Sequence, residues 1–479
     1  MKRRHFVGMA GGLVAAGWWS RHRWPLPQPR AGLPQPPMVG VNDLTLRAAP
    51  GPVTVGGTSV DAWLYNGALP GPTLRVQRGD RATITLENHL PEPTITHWHG
   101  LVVPEAADGH PRLAIAPGAT YRYDFTVDQP AGLAWYHPHT HMRTGYQVHR
   151  GLAGLVVIED PEARTSGLPP AERELLLVIQ DRTVGTGGEL SFDLRGPAMM
   201  AGYFGDTILA NGTPAPSHPV APALYRLRVL NGSASRIYRL GLSGPGAMRV
   251  IGTDGGMVSA PVPVDTVMLA PAERLDLLVD LTAAAGKRVT LETREFTLPA
   301  GTFGPRGMGR GMDMMRGRQG DAGVIMHFDV GRSRVEPVAR VTLAPRAIPP
   351  LPRGAVERRL VFSSMMMDHT INGMAFDMTR RDVATTAGAV ERWTIVNDGP
   401  VPHPVHLHAA HFAIRSRTGG RGEVYPWEQG WKDTVLVLPS EVVTIDVHFG
   451  PHPGLYLLHC HNLVHEDMGM MLNVWLDPA

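Results

Sequence analysis

The sequence contains a single cysteine, Cys460, among 479 residues. A chain with one cysteine forms no internal disulfide, so this thiol is either incidental or part of a chemical site. Charged residues make up only 18% of the chain, the formal net charge is +2, and no basic tract follows the N-terminus. The composition therefore gives no reason to expect binding to nucleic acid or to an acidic membrane surface.

Long apolar runs are also missing beyond the N-terminus. At the N-terminus, Arg3-Arg4 precede a short apolar run over residues 6–19 and resemble a twin-arginine export signal. We therefore expect residues 1–38 to be signal and leader, with an uncleaved anchor as the alternative. The mature protein is expected to be periplasmic, monomeric and without stable insertion into the membrane.

Glycine and proline are abundant, with 55 and 44 residues. This composition favours short strands joined by many turns, and the length predicts two to four domains. Five runs have the character of strands: 81–86, 121–127, 175–179, 275–279 and 444–449. The sequence therefore predicts an all-β protein.

One pattern occurs three times along the chain. An Asn-Gly pair, which is a turn signal, precedes by about twenty to twenty-five residues an alternating strand that ends in asparagine. The turn asparagines are Asn66, Asn211 and Asn372, and the strand-ending asparagines are Asn88, Asn231 and Asn397. The repeat predicts three related β domains, which we place at 39–165, 166–335 and 336–479.

The first and third copies carry histidines where the second does not. His97 lies nine residues after Asn88, and His406 lies nine residues after Asn397. The equivalent position of the second copy holds Leu240. Two of the three domains are therefore expected to share a metal site.

Histidine pairs of the form His-x-His are more frequent than random placement of 22 histidines would produce. Side chains two residues apart on a strand point the same way, so each pair presents two imidazoles to one side. Four of the pairs give eight imidazoles to one multinuclear site: His97 and His99, His137 and His139, His406 and His408, and His459 and His461.

Cys460 lies between His459 and His461 and should point to the opposite face of the strand. His403 could join it there, and His465 and Met470 follow at five and ten residues. Two histidines, a thiolate and a weak methionine form the ligand set of a blue-copper site. Core packing is the alternative role for Met470. Cys460 is covalently continuous with two histidines of the multinuclear site, which offers electrons a short route to a cluster able to bind dioxygen.

Four motifs together resemble the copper-binding motifs of the multicopper oxidases: His97-Trp98-His99-Gly100, His137-Pro138-His139, 403–408 and 459–466. The resemblance implies three consecutive cupredoxin-like Greek-key β-sandwich domains and four copper ions. It implies a type 1 copper held by His403, Cys460, His465 and Met470, and a type 2 copper held by His97 and His406. It implies a type 3 pair held by His99, His137, His139, His408, His459 and His461.

Reduction of dioxygen to water consumes protons, so carboxylates are expected near the cluster. Asp108 and Glu466 occupy positions similar to the proton-relay acids of bacterial family members. The alternative roles are a solvated turn acid for Asp108 and a structural hydrogen bond for Glu466.

A methionine-rich segment at 301–320 indicates a soft-metal substrate, because thioethers select Cu(I). Resemblance to the bacterial copper-efflux oxidases favours Cu(I) as reductant, although the acid and methionine expected just before His403 do not match. The candidate substrate ligands are Met308, Met312, Asp313, Met314, Met315 and Asp398. A laccase-like oxidase of phenols or other small organic reductants, and a non-catalytic copper-storage protein, are the alternatives.

Overall fold

The computed structural model describes residues 32–160, 165, 167–298, 319–333, 335–337, 340–365 and 368–479. Arg3-Arg4 and the candidate ligands Met308, Met312, Asp313, Met314 and Met315 lie outside the described residues. The regular structure of the described part is mainly β-strand, arranged in three pairs of sheets. The predicted all-β class is therefore confirmed.

The strands of the first domain are β1 (Met38–Val39), β2 (Leu44–Val55), β3 (Thr58–Tyr65), β4 (Thr73–Gln77), β5 (Arg81–Asn88), β6 (Thr96–His99), β7 (Thr120–Thr126), β8 (Gly132–Pro138) and β9 (Gly154–Glu159). They form one sheet of order β1-β4-β9-β8-β6 and another of order β3-β2-β5-β7. Buried and exposed residues alternate along strands such as β7, whose apolar side faces the core.

The strands of the second domain are β10 (Glu174–Val184), β11 (Leu190–Ser191), β12 (Thr207–Ala210), β13 (Thr213–Pro214), β14 (Ser217–Val220), β15 (Leu224–Asn231), β16 (Tyr238–Ser243), β17 (Ala247–Thr253), β18 (Gly256–Val264), β19 (Thr266–Leu269), β20 (Arg274–Asp280), β21 (Arg288–Thr293) and β22 (Gly323–Val330). One sheet has the order β13-β12-β10-β15-β20-β17-β18, and β11 also pairs with β10. The other sheet has the order β14-β22-β21-β16-β19.

The strands of the third domain are β23 (Glu357–Met365), β24 (Asp368–Ile371), β25 (Val383–Thr386), β26 (Val390–Asn397), β27 (His403–Leu407), β28 (Ala410–Thr418), β29 (Thr434–Val437), β30 (Val442–Phe449), β31 (Gly454–Cys460) and β32 (Met471–Asp477). They form one sheet of order β24-β23-β26-β30-β28 and another of order β25-β32-β31-β27-β29. The sheets thus span 38–159, 174–330 and 357–477, while the domain boundaries at 165 and 335 stay predictions.

Helices are short and lie in the connections. Those that lie wholly within the described residues are α1 (Glu105–Asp108), α2 (Thr144–Arg150), α3 (Pro197–Ala201) and α4 (Leu463–Asp467), with 3₁₀ turns at Pro111–Leu113, Ala171–Arg173, Thr282–Ala284 and Pro426–Glu428. Among the described residues, no helix has the length and apolar character needed to span a bilayer.

The Asn-Gly repeat is one structural feature used three times. Each turn asparagine has a positive φ, between 48° and 53°, as its two-residue turn requires. In each domain the side-chain oxygen of this asparagine accepts a hydrogen bond from a backbone N–H of an earlier strand, the one that pairs with the strand leading into the turn. The three pairs are Asn66 with Arg47, Asn211 with Val178 and Asn372 with Val361, at 2.6–2.8 Å.

The strand-ending asparagines are equally repeated. Asn397 is buried, accepts a hydrogen bond from the N–H of Gly399, and donates to the carbonyls of Val401 and Val437. Asn88 and Asn231 make the same three kinds of bond in the other domains. Each asparagine fixes the loop that leads into the next strand. In the first and third domains, that strand carries histidines.

Candidate metal centres

Eight histidines converge where the first domain meets the third. On the first domain His97 lies opposite His137 in the β6–β8 pair, and on the third His406 lies opposite His459 in the β27–β31 pair. The strand pairing therefore sets the two groups of imidazoles face to face. The Nε2 atoms of His97 and His406 are 3.4 Å apart, those of His139 and His459 are 3.3 Å apart, and those of His408 and His459 are 3.1 Å apart.

The eight-histidine cluster has the properties of a metal-binding site. Within the described residues, His137 Nε2, His99 Nδ1 and both ring nitrogens of His461 are buried without a hydrogen-bond partner. Buried nitrogens left unpaired destabilise the fold unless another ligand satisfies them. Burial lowers the pKa of His97 to about 3 and the pKa of His99 well below its ordinary value. These rings are therefore neutral at neutral pH and offer lone pairs to metal ions.

A second, mononuclear centre lies on the other face of β31. The Sγ atom of Cys460 is 3.4 Å from His403 Nδ1 and 3.5 Å from His465 Nδ1, and the two imidazole nitrogens are 3.3 Å apart. All three side chains are fully buried. Burial raises the pKa of the Cys460 thiol, so metal binding there would release its proton. Strand alternation predicts that Cys460 points to the opposite face of β31 from its two neighbouring histidines, and its side chain lies on that face in the structure.

Met470 lies beside this centre. Its carbonyl accepts a hydrogen bond from the N–H of Cys460 at 3.1 Å, and its own N–H donates to the carbonyl of His465 at 2.9 Å. The side chain is buried in the core of the third domain. Its role as an axial ligand stays a prediction.

A helix of the second domain covers the mononuclear centre. His465 Nε2 lies 3.0 Å from the carbonyl oxygen of Met200 and donates to it when it carries the ring proton. His369 Nε2 is placed in the same way against the carbonyl of Met199, and its ring stacks on His465 at 4.1 Å. Helix α3 therefore closes the outer edge of the His465 ring.

Asp108 lies at the end of α1 with its side chain fully buried. Its Oδ2 accepts from His408 Nδ1 at 2.8 Å, and its carbonyl oxygen accepts from His97 Nδ1 at 2.6 Å. Burial raises the pKa of Asp108 well above its ordinary value. The next residue, Gly109, has a φ of 84°, and a Cβ there would lie 2.3 Å from the Thr96 carbonyl oxygen. Glycine is thus required for Asp108 to approach the cluster this closely.

Glu466 lies on the opposite side of the cluster. Its Oε2 is 3.1 Å from His459 Nδ1, and its Oε1 is 3.6 Å from His139 Nδ1. Burial acts to raise the pKa of Glu466, but the interactions with His459 and His139 outweigh it, and the pKa falls below its ordinary value. The pKa values of the two buried acids are therefore shifted in opposite directions, upward for Asp108 and downward for Glu466.

Asp433 is a site residue that the sequence analysis missed. Its Oδ1 lies 3.2 Å from His99 Nε2, and its carbonyl oxygen accepts from His406 Nδ1 at 2.9 Å. Arg274, on β20 of the second domain, donates two hydrogen bonds to its carboxylate. The only signal in the sequence is a polar Asp-Thr pair, Asp433-Thr434, at the start of an apolar strand. Nothing in the sequence indicates the arginine.

Asp398 is exposed at the end of β26, and its N–H donates to the carbonyl of Phe362 at 2.9 Å. The Phe362 ring lies 5.8 Å from the ring of His403. Asp398 is therefore on the same end of the domain as the mononuclear centre but does not belong to its cluster of ligands. Its assignment to a substrate site stays a prediction.

Comparison with known proteins identifies relatives along the whole chain. Family models described as multicopper oxidase match residues 48–163, 199–289 and 352–479. A laccase from Bacillus stratosphericus is 33% identical over 472 residues, which cover 85% of this chain and 89% of the laccase. The cell division protein FtsP of Salmonella typhimurium is 31% identical over 505 residues, covering 100% of this chain and 99% of FtsP.

The fold is shared with solved structures. The McoA multicopper oxidase of the hyperthermophile Aquifex aeolicus superposes with a TM-score of 0.82 and 32% identity, over 94% of this chain and 100% of McoA. Sheets, histidine centres and relatives therefore point to the same family.

Proposed function

The chain belongs to the multicopper oxidase family, and on that premise we propose that it oxidises Cu(I) in the periplasm as part of copper tolerance. Membership makes it an oxidoreductase that uses copper cofactors and dioxygen, which disfavours a storage protein without turnover. The Arg3-Arg4 signal supports export by the twin-arginine route.

The ligand assignment in this proposal follows the two centres. His403, Cys460, His465 and Met470 hold the type 1 copper, and His97 and His406 hold the type 2 copper. The type 3 pair is held by His99, His137, His139, His408, His459 and His461. Bound copper ions supply one-electron transfer at the first centre and reduction of dioxygen to water at the second. Cys460 joins the centres through its two peptide bonds, because His459 and His461 flank it.

Asp108 and Glu466 are proposed to handle the protons that this reduction consumes. Burial raises the pKa of Asp108, which favours its protonated form, and its Oδ1, without a hydrogen-bond partner among the described residues, lies 3.7 Å from His97 Nδ1. The pKa of Glu466 is lowered, which favours its ionised form, and its Oε2 lies 3.1 Å from His459 Nδ1. The two acids therefore suit opposite roles, with Asp108 as proton donor and Glu466 as proton acceptor.

The Cu(I) proposal rests on the groups that surround the mononuclear centre. His465 is fully buried and its Nε2 edge is closed by the Met200 carbonyl, so a planar phenol has no direct contact with this ring. Met199 and Met200 on the cover are half-buried, and Met365 is 71% exposed beside Ser364. Ser364 Oγ is 3.5 Å from His403 Nε2. Thioethers at this edge suit a soft cuprous ion.

Oxygen uptake by the copper-loaded enzyme with Cu(I), and separately with a phenol, tests this function. We expect Cu(I) to be the better reductant. The double variant M199L/M200L should lower turnover with Cu(I) at subsaturating concentrations and leave turnover with the phenol unchanged. M142L is the matched control, since Met142 is 64% exposed on the first domain. Equal Cu(I) turnover in the double variant and the control would contradict the proposal.

The methionine-rich segment is a second part of the same proposal. Met308, Met312, Met314 and Met315, with Asp313 and Asp398, are proposed to gather Cu(I) before oxidation. Deletion of residues 301–320 should raise the KM for Cu(I). Unchanged Cu(I) kinetics after the deletion would remove this segment from the function.

A laccase-like oxidation of phenols is the competing function. The 33% identity to a laccase favours it. This function predicts faster turnover with the phenol than with Cu(I). It also predicts that shortening α3, which uncovers the edge of the His465 ring, raises turnover with the phenol further.

A further inference from the structure

Helix α3 of the second domain is five residues long and ends against the third domain. The last carbonyls of a helix have no partner within the helix and need donors from elsewhere. Three side chains of the third domain are placed to supply these donors: His369 Nε2 lies 3.0 Å from the Met199 carbonyl oxygen, His465 Nε2 lies 3.0 Å from that of Met200, and Asn462 Nδ2 lies 3.3 Å from that of Ala201. The third domain therefore holds the end of α3.

His369 is the donor whose role is not yet explained. His465 belongs to the proposed copper ligands, and Asn462 caps helix α4. His369 is 1% exposed and lies on β24, an edge strand of the third domain. Its ring stacks on the His465 ring, with centres 4.1 Å apart and an angle of 20° between the planes. A buried imidazole that contacts both a ligand and a carbonyl of α3 is placed to connect them.

The pairing of β23 with β24 fixes the orientation of the His369 ring. Ser364 on β23 is the register partner of His369, so the two side chains lie on the same side of the sheet. Ser364 Oγ is 2.7 Å from His369 Nδ1 and 3.5 Å from Nε2 of His403, the other histidine of the centre. A serine hydroxyl can donate to one of these nitrogens and accept from the other. Ser364 and His369 together therefore contact both histidines of the mononuclear centre.

The partners of His369 assign its protons. The Met199 carbonyl can only accept, so His369 Nε2 carries a proton and donates it. Burial lowers the pKa of His369, which favours the neutral ring, so Nδ1 accepts from the Ser364 hydroxyl. Both ring nitrogens are thus occupied by hydrogen bonds. This argues against His369 as an additional copper ligand, because no lone pair remains for the ion.

We propose that His369 is a positioning residue of the mononuclear centre, which holds α3 over His465 by donating to Met199 and so controls the access of water and reductant. The inference rests on the ligand set proposed above. Solvent access and hydrogen bonding around a copper centre set its reduction potential. Water admitted beside His465 favours the oxidised, more highly charged form of the copper and so lowers the potential.

Simple packing is the alternative role for His369. On that alternative, any ring of similar volume would serve, because the stack on His465 needs no hydrogen bond. The positioning role requires the N–H donor, without which the Met199 carbonyl is left unpaired. Phenylalanine keeps a ring of similar size and lacks the donor, whereas glutamine lacks the ring and keeps an N–H donor. The two substitutions therefore separate the two roles.

Redox titration of the blue absorbance of the copper-loaded enzyme is the test. In H369F the ratio of reduced to oxidised copper at a fixed potential should fall about tenfold, which for one electron is about 59 mV. The kcat/KM for a phenol should rise relative to that for Cu(I), because the His465 edge is uncovered. H369Q should restore both quantities toward the wild-type values. H327F is the matched control, since His327 on β22 also pairs with a hydroxyl, that of Thr290, at 2.9 Å, and it should change neither.

A wild-type potential in H369F, with copper and blue absorbance retained, would overturn the positioning role and leave the ligand set as proposed. Equal shifts in H369F and H369Q, or a similar shift in H327F, would overturn it as well. If H369F loses copper, H369Q decides: a wild-type potential supports the bond to Met199, and a lowered one contradicts it. Absence of blue absorbance from the wild-type enzyme would overturn the ligand set and this inference together.

Discussion

Arg274 of the second domain donates hydrogen bonds to both carboxylate oxygens of Asp433 in the third, at 2.7 and 2.5 Å. Both side chains are buried, and the Asp433 carboxylate also contacts His99 of the first domain. Three domains thus meet at one ion pair. Burial acts to raise the pKa of Asp433, but Arg274 outweighs it and holds the pKa below its ordinary value. A fixed negative charge therefore lies beside the multinuclear centre.

Replacing Arg274 by glutamine should weaken this centre. Loss of one partner from a buried ion pair costs about 3–5 kcal/mol, because the other charge remains unpaired. We expect R274Q to melt at a lower temperature and to retain less copper at the multinuclear centre, while the blue absorbance of the mononuclear centre persists. Metal analysis and optical spectra measure the two effects. R226Q, which breaks the Arg226–Asp276 pair inside the second domain, should lower stability without selective loss of copper.

Replacement of Asp108 by asparagine should slow oxygen consumption. A general acid typically contributes 10²–10⁴-fold, so a loss of about 100-fold is expected. Asparagine keeps the shape and the hydrogen bond to His408 but has no proton to release. The readout is kcat for oxygen uptake together with copper content, which should be unchanged. Full activity in D108N would mean that Asp108 is not a proton donor and has only a structural role.

Glu466 is expected to affect the pH dependence of turnover. Its folded-state pKa is lowered by His459 and His139, so the ionised form is lost only as the pH falls below the ordinary value for glutamate. The turnover rate of E466Q should be lower than that of the wild type at every pH. It should also no longer fall at acid pH as the wild-type rate does, because the variant has no carboxylate to protonate at this position. A profile with the wild-type shape in E466Q would contradict the assignment.

Glu428 should contribute acid-sensitive stability. It is buried against Arg417, with Nη2 and Oε1 2.6 Å apart. Burial acts to raise the pKa of Glu428, but Arg417 and Arg421 outweigh it and lower the pKa. The stabilisation is therefore complete above the ordinary pKa of 4.5 and is lost as the pH falls through the folded-state value. E428Q should lower the melting temperature at pH 7 and differ less from wild type in acid. E423Q, at an exposed residue, is the control.

The repeated asparagines should be structural. Asn397 satisfies the N–H of Gly399 and the carbonyl of Val401 in the loop before His403, and also the carbonyl of Val437 on β29. Each lost hydrogen bond costs about 1 kcal/mol, and more where the group left behind is buried. N397A should therefore lower the melting temperature and reduce the blue absorbance. N231A, at the equivalent position of the second domain, should lower stability and leave that absorbance unchanged.

The sequence predicted the elements whose cause is local or periodic. Asn-Gly turns, alternating strands and histidines two residues apart are set by the geometry of one chain segment, and the three sheet pairs confirm the all-β class. Arg274 could not be predicted, because it reaches Asp433 from the second domain, whose copy of the repeat holds Leu240 in place of a histidine and so gives no sign of contributing to a metal centre. The contacts of the Met199 and Met200 carbonyls beside the mononuclear centre could not be predicted either, because helix α3 also belongs to the second domain. Contacts between domains depend on how separate sandwiches dock, and no local pattern encodes that.

The second copy of the repeat holds Leu240 where the other two hold His97 and His406, and this difference has a wider consequence. A copy that supplies no ligand to the two centres is free to change its surface, and here that surface supplies Arg274 beside the multinuclear centre and helix α3 over the mononuclear centre. On the proposed function, retention of copper and access of the reductant are then controlled by a domain that contributes no ligand to either centre. New substrate preferences could therefore arise in the second domain by exchange of α3, with every ligand of the two centres left in place.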